Sequence, residues 1–188
     1  PEKLYRILKP IVDLLAGIPS IVYGFFGLVV LVPFIREHFK GNGNSILTAS
    51  ILLGIMILPT IISVSESSLR AVPESYYEGA LALGATHIET VFRVSVPAAS
   101  SGIAASIVLG IGRAIGEAMA VMMVAGNVAN MPGLFKSVTF LTTAVAKEMS
   151  YASGLQKQAL FSIALVLFCF IMLINSLLNF FLKKGEKP

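Results

Sequence analysis

Two charged residues four positions apart, Arg113 and Glu117, interrupt the otherwise uncharged run from Ala98 to Phe135. A bare charge in the middle of a membrane costs several kcal/mol, so each side chain needs a partner. Residues spaced by four share one helix face, which predicts an ion pair, although Glu placed C-terminal to Arg is the less favourable order. A guanidinium is always charged and matches oxyanion geometry, so a partly neutralised arginine suits an oxyanion path that must also release its ion. The alternative is a buried ion pair that only fixes helix register.

The polar stretch 70–97 separates two apolar runs and carries helix signals of its own. Pro73 suits the first turn of a helix, and Gly84 lies where a left-handed cap would end it. Thr86 followed by Glu89 has the spacing of a capping box, which predicts the start of a second helix. We therefore expect two short helices bent at Gly84.

The first of these helices combines small and bulky residues. Gly79 and Ala80 keep it thin, whereas Tyr76, Tyr77 and Leu83 supply large contacts. Such a helix suits insertion into a groove of another protein. An amphipathic helix lying on the membrane surface is the alternative that composition leaves open.

The composition indicates that the elements around these polar positions cross a membrane. The chain has 188 residues, of which 56% are hydrophobic and 13% charged, with a mean hydropathy of +0.85. Because about 20 apolar residues cross the hydrocarbon core, we predict four spans. Their expected bounds are 14–35, 45–65, 97–127 and 158–182, with the loop 66–96 between the second and third. Continuous apolar runs favour helices over barrel strands, so the predicted fold class is all-α, a polytopic transmembrane helical bundle.

Basic residues predict the orientation of the bundle, and prolines predict irregularities in it. Eight cations lie before the first span, in the second loop and after the last span, against five on the opposite side, which places the first set in the cytoplasm. The eight are Lys3, Arg6, Lys9, Arg70, Arg93, Lys183, Lys184 and Lys187, and the five are Arg36, Lys40, Lys136, Lys147 and Lys157. Pro19 and Pro59 predict kinks or breaks, which are either ordinary packing features or gating hinges.

The loop also carries a pattern that resembles a known family. Glu78-Gly79-Ala80, three residues, Gly84, nine residues and Val94-Ser95-Val96-Pro97 are similar to the cytoplasmic signature of bacterial-type ABC import permeases, Glu-Ala-Ala, three residues, Gly, nine residues, Ile-x-Leu-Pro. The spacing is kept throughout, and the departures exchange small or apolar residues. The resemblance implies the type I ABC importer permease fold. It also implies that this loop is a coupling helix, docked on an ATP-hydrolysing subunit through Tyr76, Tyr77, Glu78, Gly79, Ala80, Leu83, Gly84 and Pro97.

Other segments resemble phosphate-uptake permeases, and the segment 112–121 is most similar to their C-type subunit. They are 17–24, 112–121, 141–143 and 148–152. The likeness covers essentially the whole chain, and in that family Arg and Glu positions matching Arg113 and Glu117 are associated with transport. It implies a subunit of an ATP-driven importer that moves inorganic phosphate across the cytoplasmic (inner) membrane. Since those permeases have about two further upstream spans, and the chain begins at Pro1 without an initiator methionine, we expect the sequence to be a fragment.

The implied partners are a second related permease, two ATP-binding subunits that bind ATP and Mg, an extracytoplasmic phosphate-binding protein and membrane lipid. No nucleic-acid partner and no cofactor or metal of the chain's own are expected. The sequence has no Gly-x-x-x-x-Gly-Lys-Ser/Thr motif and no nucleophile with a convincing base, which predicts a non-enzymatic subunit. Two alternatives stay open: a permease for another oxyanion such as molybdate or sulfate, and an ATP-independent channel or secondary carrier.

Overall fold

The computed structural model describes residues 2–39 and 41–185, so Lys40 and Lys187 lie outside the described residues. Within these ranges the chain is helical, with an isolated bridge between Gly126 and Val138 and no strand, which confirms the all-α prediction. The helices are α1 (Glu2–Gly17), α2 (Ser20–His38), α3 (Ile46–Arg70), α4 (Glu74–Ala82), α5 (His87–Ala98), α6 (Ser100–Gly116), α7 (Met119–Val124), α8 (Leu141–Glu148) and α9 (Gly154–Gly185).

In the described part of the chain, α2, α3 and the Gly154–Phe180 part of α9 are long and apolar enough to cross a membrane. Helices α5 and α6 are bent by 65° at their junction and add a fourth span if the bent pair is counted as one. The predicted spans 14–35, 45–65 and 158–182 overlap the first three. The predicted span 97–127 is not one helix, because α6 ends at Gly116 and the short α7 follows.

The two prolines predicted to disturb helices behave differently. Helix α1 ends at Gly17 and α2 begins at Ser20, so the chain does break at Pro19. The hydroxyl of Tyr23 donates to the carbonyl of Leu15 at 2.8 Å, and the same carbonyl accepts from the backbone N–H of Ile18 at 3.3 Å. Both bonds tie the residues after the break to the end of α1. At Pro59 the helix does not break, since α3 continues from Ile46 to Arg70 and buries the proline.

Two wide π turns precede prolines inside helices. One occupies Gly27–Leu31 and is followed by Pro33, and the other occupies Val91–Ser95 and is followed by Pro97. A proline cannot donate a backbone hydrogen bond, and its ring clashes with the carbonyl four residues earlier. A π turn just before the proline widens the helix where this crowding occurs, so both helices continue past it.

Helices α3 and α6 pack antiparallel through small residues. The hydroxyls of Ser65 and Ser106 lie 2.7 Å apart and hydrogen bond across the interface. A Cβ atom added at Gly110 would lie 2.7 Å from Ile61, and one added at Gly102 would also collide with α3. Small residues at a helix–helix contact allow this close approach of the two backbones. The interface runs from the start of α6 almost to Arg113.

A cluster of charged and polar side chains joins α1 to the C-terminal end of α3, which is cytoplasmic in the predicted orientation. Glu66 accepts from Tyr5 at 2.6 Å, from Arg70 at 2.9 Å and from Lys9 at 2.9 Å. Lys9 also pairs with Asp13 at 3.1 Å. Hydrogen bonds to Glu66 and then to Asp13 raise the pKa of Lys9. A raised lysine pKa means that this attraction is complete below the ordinary pKa and is lost only as pH rises through the higher value, so it persists at neutral pH.

Candidate functional site

Arg113 lies near the end of α6, with an exposed side chain that reaches a neighbouring helix. Its Nη1 donates to the hydroxyl of Thr60 on α3 at 3.0 Å. The guanidinium lines a cavity of about 470 Å³ between α6 and α9. The other residues around it are Ala105, Val108, Leu109, Gly112, Asn175 and Asn179. Arg113 is the sole charge among these lining residues, so the cavity combines one cation, two carboxamides and apolar walls.

Glu117 is separated from Arg113 by the end of the helix. Its backbone is extended, with φ −73° and ψ 125°, so the four-residue helical spacing no longer places the two side chains side by side. The Glu117 carboxylate accepts from the backbone N–H of Ala120 at 3.0 Å and so caps the start of α7. Its carbonyl accepts from the hydroxyl of Thr142, the second residue of α8, at 3.1 Å. Glu117 therefore joins three segments of the chain.

The predicted ion pair between Arg113 and Glu117 is absent from the described structure, which corrects that expectation. The two side chains line different cavities, and that of Glu117, about 340 Å³, has mainly apolar walls. No acidic side chain pairs with Arg113 among the described residues. The arginine therefore presents its charge to its cavity without neutralisation from the described part of this chain.

Sequence reasoning missed three polar residues that surround Arg113. Thr60 follows the buried Pro59 in α3, and Asn175 and Asn179 lie one turn apart on α9. A Cβ atom at Gly112 would lie 3.7 Å from the Asn175 Oδ1 atom, so α9 passes close to the arginine-bearing turn. The available signal was two asparagines spaced by four in an apolar run, since such residues in a membrane face other helices or a cavity.

The loop between α3 and α5 has the bent geometry that the sequence predicts. Gly84 has φ +88°, and the N–H groups of Gly84 and Ala85 donate to Leu81 and Ala80 at 2.9 and 3.1 Å. These bonds form a Schellman cap. At the start of α5, the capping box of Thr86 is complete. The Thr86 hydroxyl accepts from the backbone N–H of Glu89, and the Glu89 carboxylate accepts from the backbone N–H of Thr86.

A side-chain contact holds the two arms of this loop together. The Tyr77 hydroxyl and the His87 Nδ1 atom hydrogen bond across the bend, with their rings edge to face. The Tyr77 side chain is therefore bound to His87 of the same chain, whereas the side chains of Tyr76 and Leu83 project outward and are 55% and 91% exposed. Glu78 and Pro97 are exposed too.

Helix α4 itself buries no residue against the rest of the chain. A Cβ atom at Gly79 would have no neighbouring atom within 4 Å, and Ala80 is half-buried. Exposed Ile88 and Phe92 continue the apolar surface into α5. A charged, membrane-adjacent loop that displays large apolar side chains is suited to bind a partner protein.

Comparison with known proteins places these features in a transport family. Residues 1–184 match the family described as "Binding-protein-dependent transport system inner membrane component". The chain is 45% identical over 181 residues to the probable ABC transporter permease protein YqgH of Bacillus subtilis, which covers 92% of this chain and 58% of the relative. It is 36% and 38% identical over 208 residues to the phosphate transport system permease proteins PstC of Pasteurella multocida and Haemophilus influenzae. These matches cover the whole chain and 65% and 66% of the relatives, so the chain spans less than two thirds of the length of each protein compared.

Proposed function

Because the chain belongs to the family of inner-membrane components of binding-protein-dependent transport systems, we propose that it is the permease subunit of an ATP-driven importer of inorganic phosphate. The observation that carries the substrate is Arg113 in a cavity between α6 and α9, with no acidic partner among the residues that the structure describes. The names of the two PstC relatives support the same anion.

The chemistry of Arg113 suits a phosphate that passes through rather than one that stays. A guanidinium carries five N–H donors, and in the described structure one nitrogen is engaged by Thr60. The remaining donors face a cavity whose apolar walls lower the local dielectric and strengthen the attraction for an anion. The hydrogen bond to Thr60 orients the planar group. Release does not require neutralisation by Glu117, because alternation of the cavity between the two membrane faces opens it to water.

The loop 70–97 supplies the connection to ATP hydrolysis in this proposal. Tyr76, Leu83 and neighbouring exposed apolar residues would dock in a groove of an ATP-binding subunit, which holds ATP and Mg. The working assembly would pair this permease with a second, related one, with two ATP-binding subunits and with an extracytoplasmic phosphate-binding protein. The permease itself performs no chemistry and changes only which face of the membrane reaches Arg113.

The test is phosphate uptake and ATP hydrolysis in proteoliposomes that hold the full-length permease with its partners. Arg113→Ala removes the anion-binding group, and Arg113→Lys retains the positive charge without the planar array of N–H donors that a guanidinium offers. Arg6→Ala is the matched control, because Arg6 is an exposed arginine of α1 away from the cavity. We expect the alanine variant to lose uptake with assembly intact, the lysine variant to keep part of it, and the control to match the parent.

The results separate this proposal from its rivals. Unchanged uptake by Arg113→Ala would give the arginine a structural role only. Stimulation of the parent by sulfate or molybdate, with no response to phosphate, would assign another oxyanion. Phosphate flux without any associated ATPase would favour a channel or secondary carrier.

A further inference from the structure

The last helix contributes two carboxamides to the cavity of Arg113. Asn175 and Asn179 are four residues apart on α9, so they lie on the same face of that helix. Both line the cavity of about 470 Å³ that Arg113 also lines. A Cβ atom added at Gly112 would lie 3.7 Å from the Asn175 Oδ1 atom, an ordinary van der Waals separation, so α9 passes close to this turn of α6. Three polar side chains from two helices therefore face one space.

These carboxamides are not used to hold the described helices together. Neither side chain hydrogen bonds to any other group in the part of the chain that the structure describes. An amide removed from water without a partner costs several kcal/mol in an apolar medium, and asparagine is rare in membrane helices for that reason. In the described chain Asn175 is half-buried and Asn179 is exposed, so both amides are open to a polar occupant of the cavity.

The charge of the cavity identifies the class of occupant. Among the described residues, its lining contains one arginine and no carboxylate, so it favours an anion. Arginine can only donate hydrogen bonds, whereas an asparagine side chain donates through Nδ2 and accepts through Oδ1. Hydrogen phosphate needs both kinds of partner, since it carries charged oxygens that accept and a P–OH group that donates.

We propose that Asn175 and Asn179 form a carboxamide subsite that, with Arg113, holds hydrogen phosphate during its passage. Arg113 takes the charged oxygens, and an Oδ1 atom of the pair accepts from the P–OH group while an Nδ2 group donates to another oxygen. This inference rests on the proposed phosphate function and adds residues from a different helix to the path. The cavity then contacts the anion on both the α6 side and the α9 side.

The experiment uses the full-length permease with its partners in proteoliposomes, inorganic phosphate as the probe, and uptake and ATP hydrolysis measured together. Asn175→Leu with Asn179→Leu removes both carboxamides. Asn175→Asp keeps the shape of the side chain and adds a negative charge that repels the anion. Ser176→Leu is the matched control, because it exchanges a polar residue of α9 outside the cavity lining. Copurification of all subunits is measured for every variant.

We expect the double leucine variant to assemble normally and to move about tenfold less phosphate per ATP hydrolysed, the scale of one or two lost hydrogen bonds. Asn175→Asp should lose at least as much, while Ser176→Leu keeps the parental ratio. An aspartate at this cavity also neutralises Arg113, so the uncharged double leucine variant carries the test. A role limited to helix packing would lower its copurification and leave the ratio of phosphate moved to ATP hydrolysed unchanged.

Three results would overturn the inference. If the parent transports phosphate and both asparagine variants keep its ratio of uptake to hydrolysis, the carboxamides do not touch the anion. Loss of subunit copurification in the leucine and aspartate variants alike would instead make them contacts with the partner permease. If the parent itself moves no phosphate although the complex is assembled and hydrolyses ATP, the proposed function fails, and the subsite fails with it.

Discussion

The contact between α2 and α7 should be intolerant of a single added methyl group. A Cβ atom at Gly24 would lie 2.9 Å from the Cα atom of Ala120 and 2.9 Å from the sulfur of Met123. Carbon atoms prefer separations of about 3.5–4.0 Å. The methionine side chain can move away, but the backbone of Ala120 cannot move without displacing α7. We therefore expect Gly24→Ala to destabilise the fold by about 1–3 kcal/mol, the usual cost of overpacking.

The matched control is Gly54→Ala in α3. A Cβ atom there would have no neighbour within 4 Å, so the alanine meets open space. In a helix interior, alanine is favoured over glycine by roughly 0.5–1 kcal/mol, so this variant should be neutral or slightly more stable. Both variants make the same chemical change in a membrane helix, and their difference isolates the contact with Ala120.

The assay is reversible unfolding of the full-length permease in mixed micelles by added SDS, followed by circular dichroism. A loss of 1–3 kcal/mol corresponds to about a 5- to 150-fold shift in the unfolding equilibrium and so to a lower SDS midpoint. Equal midpoints for Gly24→Ala and Gly54→Ala would refute the reasoning, since they would mean that α2 and α7 do not approach as described. In Gly24→Ala, displacement of Ala120 should also disturb the hydrogen bond by which Glu117 caps α7. We therefore expect this variant to lose phosphate uptake as well as stability.

Three further changes test the loop 70–97 and the attachment of α1 to α3. Gly84→Ala places a Cβ atom at φ +88° and should destabilise the bend by about 1–2 kcal/mol. In proteoliposomes it should reduce the phosphate moved per ATP hydrolysed. Gly79→Ala is the control and should keep the parental ratio, because its Cβ atom meets open space. Thr86→Val removes the cap of α5 and should weaken its first turn by about 1 kcal/mol, detected as faster amide exchange over 87–90; unchanged exchange would contradict this. Glu66→Gln weakens the cluster that holds α1, so amide exchange in α1 should accelerate while exposed Glu37→Gln leaves it unchanged.

Local signals in the sequence were sufficient where the structure depends on neighbouring residues. The bend at Gly84 and the capping box at Thr86 both follow from backbone chemistry within four residues, and both are present. The break at Pro19 has the same local origin. For such features the sequence contains the donor, the acceptor and the conformational preference together.

The end of α6 could not be predicted in this way, because distant residues stabilise it. Nothing within the run 113–121 distinguishes Glu117 as extended, apart from the preceding glycine. Thr142, 25 residues later, binds its carbonyl, and Gly24 provides the space in which α7 packs. Without these long-range contacts, the four-residue spacing of Arg113 and Glu117 predicts a helical pair. Likewise, the meeting of Arg113 with Asn175 depends on which helices pack together, a property that no single apolar run reveals.

In the proposed transporter, the packing of α6 determines how a movement of the loop reaches the anion. From Ser100 to Arg113, α6 extends for about 20 Å at 1.5 Å per residue, joined to α3 by the serine pair and by the close contacts at Gly102 and Gly110. A displacement of α4 and α5 therefore reaches the bundle at the 65° bend and must carry α6 and α3 together, which moves Arg113 and Thr60 as one unit. The rigid stretch stops at Gly116, where the chain becomes extended. Glu117 is then better placed to anchor α7 and α8 while the arginine moves than to neutralise it, and this division accounts for two charges four residues apart that do not pair.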